Sequence, residues 1–203
     1  MKTARKTLCL LAAAILQLVS WPFEIAGHFL PGNSLLTASE AMAETLAGVE
    51  EVLKRNFPAA DEFREELKRL DEDQMRLIGE QSEVTLDPAK DSRFFFHIAK
   101  AGGKTVGYAV EDAVRGKWGL IHYLLALDTE GRVLDVTVLE YRERRGKPVA
   151  ERRFLKQFVG KDTGSELRLA KDIRGVTGAT ISSRGVTDGI RKLVHVFRLF
   201  YVD

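Results

Sequence analysis

Cysteine is almost missing from this chain. The one present, Cys9, excludes an internal disulfide, a cysteine-rich zinc site, an iron–sulfur cluster and a CxxCH haem attachment. Any redox chemistry must come from a bound cofactor. An excess of one charge is also lacking: 31 Lys and Arg against 29 Asp and Glu leave +2, too little for a protein that wraps nucleic-acid phosphates. No nucleic-acid partner is expected. Proline is scarce, with five in 203 residues, while 45% of the chain is hydrophobic, so it is globular rather than disordered or collagenous and can bury a core. GxGxxG and GxxxxGK[ST] do not occur, and no GxSxG elbow surrounds Ser182 or Ser183, which argues against the common nucleotide loops and a hydrolase triad. The histidines at 28, 97, 122 and 195 show no ligand spacing and read as structural.

The longest uncharged run is residues 7–23, preceded by Lys2, Arg5 and Lys6. A basic region leading an apolar one addresses a chain to a membrane. Seventeen uncharged residues fall at the low edge of a spanning helix, which needs about 20, so residues 1–43 read either as a signal peptide or as a single anchor. Ala41-Met42-Ala43 is a small-x-small site before Glu44. The bases at the start place the body outside the cytoplasm by the positive-inside rule, on the extracytoplasmic face or in the periplasm.

Residues 50–80 carry ten acids and six bases with intermittent apolar positions, which reads as helices solvated on one side. Asn56-Phe57-Pro58 ends the first, and Asp71 is a candidate N-cap for another. From Arg93 the period changes. Phe94–Ala99, Thr105–Val110, Trp118–Leu127 and Val133–Tyr141 are rich in aromatic and β-branched residues with turn residues between them, so an antiparallel sheet is expected. In the fourth run Leu134, Val136 and Val138 should face a core and Asp135 and Thr137 the other side. Helices are expected over Pro148–Phe158 and Ser183–Phe200, the second with an apolar stripe of Val186, Ile190, Leu193, Val194 and Phe197. The fold class is α+β, an antiparallel sheet covered by helices. Its divisions are 1–43 as the apolar segment, 44–89 as a helical part of the body and 90–203 as the main domain.

One stretch can hold an anion. Thr177-Gly178-Ala179-Thr180-Ile181-Ser182-Ser183 sets small residues and four hydroxyls at the start of the C-terminal helix. Small residues let backbone N–H groups approach a phosphate, and a helix N-terminus offers free donors and the positive end of the dipole. The competing reading is that Thr180, Ser182 and Ser183 merely cap the helix. The basic run 142–147, continued by Arg152 and Arg153, is either a solvated turn or a site meeting a flavin edge or an acidic partner.

Asp172-Ile173-Arg174-Gly175-Val176 followed by Thr177-Gly178-Ala179-Thr180-Ile181-Ser182-Ser183 closely resembles the flavinylation motif of the FMN-binding domain family. That family includes the flavin-bearing extracytoplasmic subunits of sodium-pumping NADH:quinone reductase and of related ferredoxin:NAD oxidoreductase complexes. The resemblance extends over roughly residues 90–200, through Gly107-Tyr108, Gly116-Lys117-Trp118-Gly119, the Asp128–Gly131 turn, Tyr141-Arg142-Glu143 and Phe154–Gly160. Where members commonly carry an acid three residues before the first motif hydroxyl, this chain has Arg174, with Asp172 two positions earlier. Arg144-Arg145-Gly146-Lys147-Pro148 stands where the pumping subunits tend to have a Pro-Gly-rich turn, which suggests a stand-alone carrier.

The resemblance implies covalent FMN, joined by a flavin transferase through a phosphoester to Thr180. Thr177, Gly178, Ala179, Ser182 and Ser183 would lie around the phosphate. Trp118, Tyr141 and Tyr108 are candidates for packing on the ring, each equally readable as core, and Glu143 is the one carboxylate arguable as an acid or base beside it. The implied function is extracytoplasmic electron transfer, with a membrane redox protein or cytochrome as donor or acceptor. Two alternatives stay open: a flavin-dependent reductase of a small molecule, and a non-flavinylated sensing or interaction module on the same fold.

Overall fold

Apolar residues on both sides of every central strand organise the molecule. The computed structural model describes residues 44–141 and 148–202; the apolar segment 1–43, with Cys9, and residues 142–147, with Glu143, lie outside the described residues. The elements are β1 (Glu44–Thr45), α1 (Val49–Asn56), β2 (Glu62–Arg69), α2 (Glu72–Ser82), α3 (Pro88–Asp91), β3 (Arg93–Ala101), β4 (Lys104–Arg115), β5 (Leu120–Leu127), β6 (Val133–Tyr141), α4 (Arg152–Leu155) continued by a 3-10 turn over Lys156–Phe158, and α5 (Thr180–Tyr201). The six strands form one antiparallel sheet in the order β1-β6-β5-β4-β3-β2. The α+β expectation holds. Among the described residues no helix is long and apolar enough to cross a membrane.

β5 is apolar on both faces, and two clusters result. On one face Ile121, Tyr123, Leu125 and Leu127 pack with Val136 and Val138 of β6 and with Val186, Ile190, Leu193, Val194 and Phe197 of α5, all at most 3% exposed. On the other, Leu124 and Ala126 join Ala99, Ala109 and Leu139 beneath Val52, Leu53 and Phe57 of α1. The expectation of one core face and one polar face is therefore corrected. Leu134 does not join the core either. The pairing shifts register between Ala126 and Leu127, and the bulge leaves Leu134 39% exposed. Asp135 beside it is buried with the guanidinium of Arg152 on it.

A second correction concerns residues 62–69, which the charge pattern suggests as helix and which form strand β2. All eight pair with β3, from Glu62 with Lys100 to Arg69 with Arg93. A charged strand belongs at a sheet edge, where its side chains discourage pairing with another chain. Its even positions serve the C-terminal end of α5: Tyr201 Oη donates to Glu66 at 2.8 Å, and Lys68 Nζ lies 4.9 Å above the Tyr201 ring. Asp71 does cap α2, in a reciprocal capping box with Gln74.

Helix α5 comes close enough to the sheet that a Cβ at Gly189 would overlap Tyr123 Oη and lie 2.7 Å from Val114 Cγ1. A glycine is required there. Buried charge fixes the helix further along its length. Lys192 Nζ donates to Asp91 Oδ1 at 2.5 Å and lies 3.0 Å from Asp112 Oδ2, while the Arg191 guanidinium donates to the carbonyls of Ser82 and Leu167.

Candidate functional site

The first turn of α5 is built by a glycine and two buried serines. Ala179 N donates to Val176 O at 3.0 Å, closing a turn in which Gly178 has φ +81, the left-handed region that favours glycine. Nothing lies within 4 Å of where a Gly178 Cβ would stand, so the backbone faces open space. The helix then begins at Thr180, not at Ser183 as the pattern suggests, and its N-cap residue Ala179 makes no side-chain bond. Ser182 and Ser183 are fully buried. Ser183 Oγ accepts from Val176 N at 3.0 Å, and Ser182 Oγ accepts from Lys117 N at 3.2 Å.

These bonds correct the capping reading: Ser183 ties the loop before α5 to the helix, and Ser182 ties the β4–β5 connection to it. Thr177 and Thr180 are exposed. Of the four hydroxyls only those two can meet a molecule from solvent, and Thr180 stands where the first N–H groups of a helix lack intrahelical acceptors.

One cleft borders this turn and a second lies beside the β4–β5 connection and the following turns of α5. The first, of about 610 Å³, is lined by Arg153, Phe154, Lys156, Arg174 and Thr177. The second, of about 530 Å³, is lined by Arg115, Lys117, Trp118, Leu120 and Lys192. Both lie within the size range of ordinary ligand sites. Trp118 is 58% exposed with Lys117 Nζ 5.0 Å from its ring. Tyr141 is core, 2% exposed, although its cross-strand partner Ile121 keeps it at the same end of the sheet as Trp118. Tyr108 belongs elsewhere. Its ring packs on Phe197 and Tyr201 at 5.0 and 4.5 Å, and at 1.5 Å per residue Phe197 lies about 25 Å along α5 from Thr180.

Several positioning residues carry no sequence signature. Gln157 brackets Arg174, accepting from its N–H at 2.9 Å and donating to its carbonyl at 3.1 Å. Asp172 accepts from the N–H groups of Leu167 and Arg168 and from Lys161 Nζ. Burial alone would raise the Asp172 pKa, but these donors hold it below the usual carboxylate range. The acid of the motif is thus spent on folding its own loop. Among the described residues no group of three or more His, Cys, Asp or Glu could hold a metal ion.

Residues 116–195 match the family model of the FMN-binding domain. Two curated relatives are similar. The G-type subunit of the proton-translocating ferredoxin:NAD(+) oxidoreductase complex of Clostridium ljungdahlii is 31% identical over 113 residues, 52% of this chain and 60% of that protein. Its counterpart in the Na(+)-translocating ferredoxin:NAD(+) oxidoreductase complex of Acetobacterium woodii is 29% identical over 112 residues, 50% of this chain and 54% of that one. The chain therefore spans little more than half the length of these relatives. Among solved structures, NqrC of Shewanella oneidensis superposes with a TM-score of 0.48 at 16% identity, covering 73% of this chain and 85% of that one. The C-type subunit of the Na(+)-translocating NADH-quinone reductase of Parabacteroides distasonis gives 0.48 at 15%, covering 77% and 84%. The match to the FMN-binding domain runs from the β4–β5 connection, with Trp118, through the Thr177–Ser183 turn into α5.

Proposed function

We propose that this protein is an extracytoplasmic electron carrier with FMN joined by a phosphoester to Thr180, loaded by a flavin transferase. The observation that supports this most is the contrast within the motif: Thr180 is exposed at the first position of α5 while Ser182 and Ser183 are buried in bonds to their neighbours. The site fits the group. Gly178 leaves the backbone open, the cleft beside Thr177 carries Arg153, Lys156 and Arg174, and an anion at a helix N-terminus meets both backbone donors and the helix dipole. FMN would supply the one- and two-electron chemistry. The chain's own part is placement. Thr180 fixes the phosphate, the 174–179 loop shapes the cleft, and Trp118 offers an aromatic wall in the second cleft. A tether suits a compartment in which lost cofactor cannot be replaced.

The test is loading with FAD. Attack by the Thr180 oxygen on the phosphorus nearest riboflavin forms the Thr–O–P bond and breaks the pyrophosphate, AMP leaves, and the hydroxyl proton passes to solvent. Protein mass should rise by FMN less one water, on Thr180 and not on Thr180→Ala. A second reading, favoured by the two relatives from ferredoxin:NAD(+) oxidoreductase complexes, places the chain in a multi-subunit membrane redox complex. Its partners would then co-purify from membranes in fixed stoichiometry, which a stand-alone carrier would not show.

A further inference from the structure

We infer that the Thr180 end of the molecule is a docking surface for an acidic electron-transfer protein. The inference rests on the proposed flavin site and shares Arg153, Lys156, Arg174 and Trp118 with it, but the charge of this surface is present whether or not a flavin is attached. Six bases ring the start of α5, all exposed: Arg115, Lys117, Arg153, Lys156, Arg174 and Arg184. The first two line the cleft beside the β4–β5 connection and the next three the one bordering the turn, while Arg184 lies one helical turn beyond Thr180. Lys117 rests over the Trp118 ring. Among the described residues the other five make no ion pair.

Four acids of this end are committed to other bases. Asp91 and Asp112 bind Lys192 at 2.5 and 3.0 Å, Asp188 binds Arg191 at 2.9 Å, and Asp87 binds Lys90 at 3.4 Å. Glu151 at the cleft rim is outnumbered. In a chain whose net charge is only +2, these six bases make a local positive field among the described residues, and such fields steer oppositely charged partners.

Inside the ring of bases stand exposed apolar side chains. Trp118, Leu120 and Ile181 are 58%, 52% and 56% exposed, and the bond from Lys117 N to Ser182 Oγ holds the loop carrying Trp118 and Leu120 against the turn carrying Ile181. An apolar centre with a charged rim is the anatomy of a protein interface, and a patch confined to one end of a small domain matches the small, transient encounters of electron-transfer pairs. The charge sign selects the occupant: a protein with an acidic face around its own redox centre, approaching head-on to Thr180.

The test uses the full chain and two probes of opposite charge, an acidic plant-type [2Fe–2S] ferredoxin and a basic c-type cytochrome, with binding and electron-transfer rates followed from low to high salt. We expect the ferredoxin to bind and react roughly tenfold faster at low salt, with the advantage lost as salt rises, and the cytochrome to show the reverse slope. Arg115→Gln/Lys156→Gln/Arg184→Gln should flatten the ferredoxin slope. Arg64→Gln/Lys100→Gln/Lys104→Gln, an equal loss of charge toward the other end of β4, should leave it intact. Equal effects of the two triple variants, a salt-independent ferredoxin rate, or binding only to phosphatidylglycerol vesicles and not to the ferredoxin would overturn the inference. Ferredoxin binding is measured on Thr180→Ala as well. If no flavin is ever attached the functional reading fails, yet salt-dependent binding to the unflavinylated chain still decides the docking surface.

Discussion

The motif's hydroxyls have different surroundings, and single substitutions separate them. Thr180→Ala removes an exposed hydroxyl that makes no capping bond, so stability should change by less than ~0.5 kcal/mol while covalent flavin, seen as fluorescence in a denaturing gel, disappears. Thr177→Ala should reduce loading without abolishing it, since Thr177 lines the cleft but is not the attachment point. Ser182→Ala should behave oppositely, keeping its flavin and losing about 1–2 kcal/mol, because Lys117 N loses its acceptor in a buried place. Flavin lost from Ser182→Ala at unchanged stability would move the attachment site. Gly178→Ala is a backbone test: there is room for the methyl, but φ +81 costs an L-residue about 1–2 kcal/mol, and loading should fall as the turn relaxes.

Between elements, the contacts that decide the architecture are a close approach and a charged row. Gly189→Ala drives a methyl into Tyr123 Oη and Val114 and should cost about 1–3 kcal/mol, with Tyr123→Phe recovering part of the loss in a double-mutant cycle. Across β3, β4 and β5, His97 Nε2 and His122 Nε2 each hold one oxygen of Glu111, at 2.9 and 3.0 Å. The His122 bond, then the His97 bond, bring Glu111 from an ordinary 4.5 down to about 2 despite burial. Its stabilisation is present above pH 4.5 and is lost as pH falls toward about 2. Glu111 in turn raises His122 above its ordinary 6.5, so that contribution is complete below pH 6.5 and is lost as pH rises through the raised value. Thermal melts of wild type and His122→Gln should therefore differ most between pH 4.5 and 6.5 and converge at alkaline pH; a constant difference would mean that the ring contributes packing alone. Neither histidine announces this role in sequence, because the row exists only once three strands are aligned. Strands β3 to β6 are legible from aromatic and β-branched runs broken by turn residues, and the α5 stripe from its 3.6 period. Strand β2 is not, because at a sheet edge its charges mimic a solvated helix. The cleft is equally hidden: Gln157 and Arg174 are 17 residues apart, and nothing in either residue type foretells the bond that joins them.

At the scale of the whole molecule, the site lies where three separately encoded pieces converge: the β4–β5 connection with Trp118, the 148–179 segment with its cleft, and the N-terminus of α5. Residues 44–203 contain every one of them, and the paired strands and both apolar clusters lie within that span. Made without residues 1–43 and kept in the cytoplasm, this part should fold and be colourless, because on the proposed reading the flavin transferase acts outside the cytoplasm. The turn at Thr180 offers free FMN backbone donors and a partial dipole charge, worth typically ~0.3–1 kcal/mol, and the bases and Trp118 around it are solvent-exposed; together this is too little to retain a small molecule through purification. Addition of a flavin transferase with FAD and Mg²⁺ should turn the protein yellow, with colour and mass both resisting denaturation. Arrival of the cytoplasmic protein with tightly held, non-covalent FMN would show that the clefts beside Thr177 and Trp118 bind the ring on their own, and a soluble flavin reductase would then describe the molecule better than a tethered carrier.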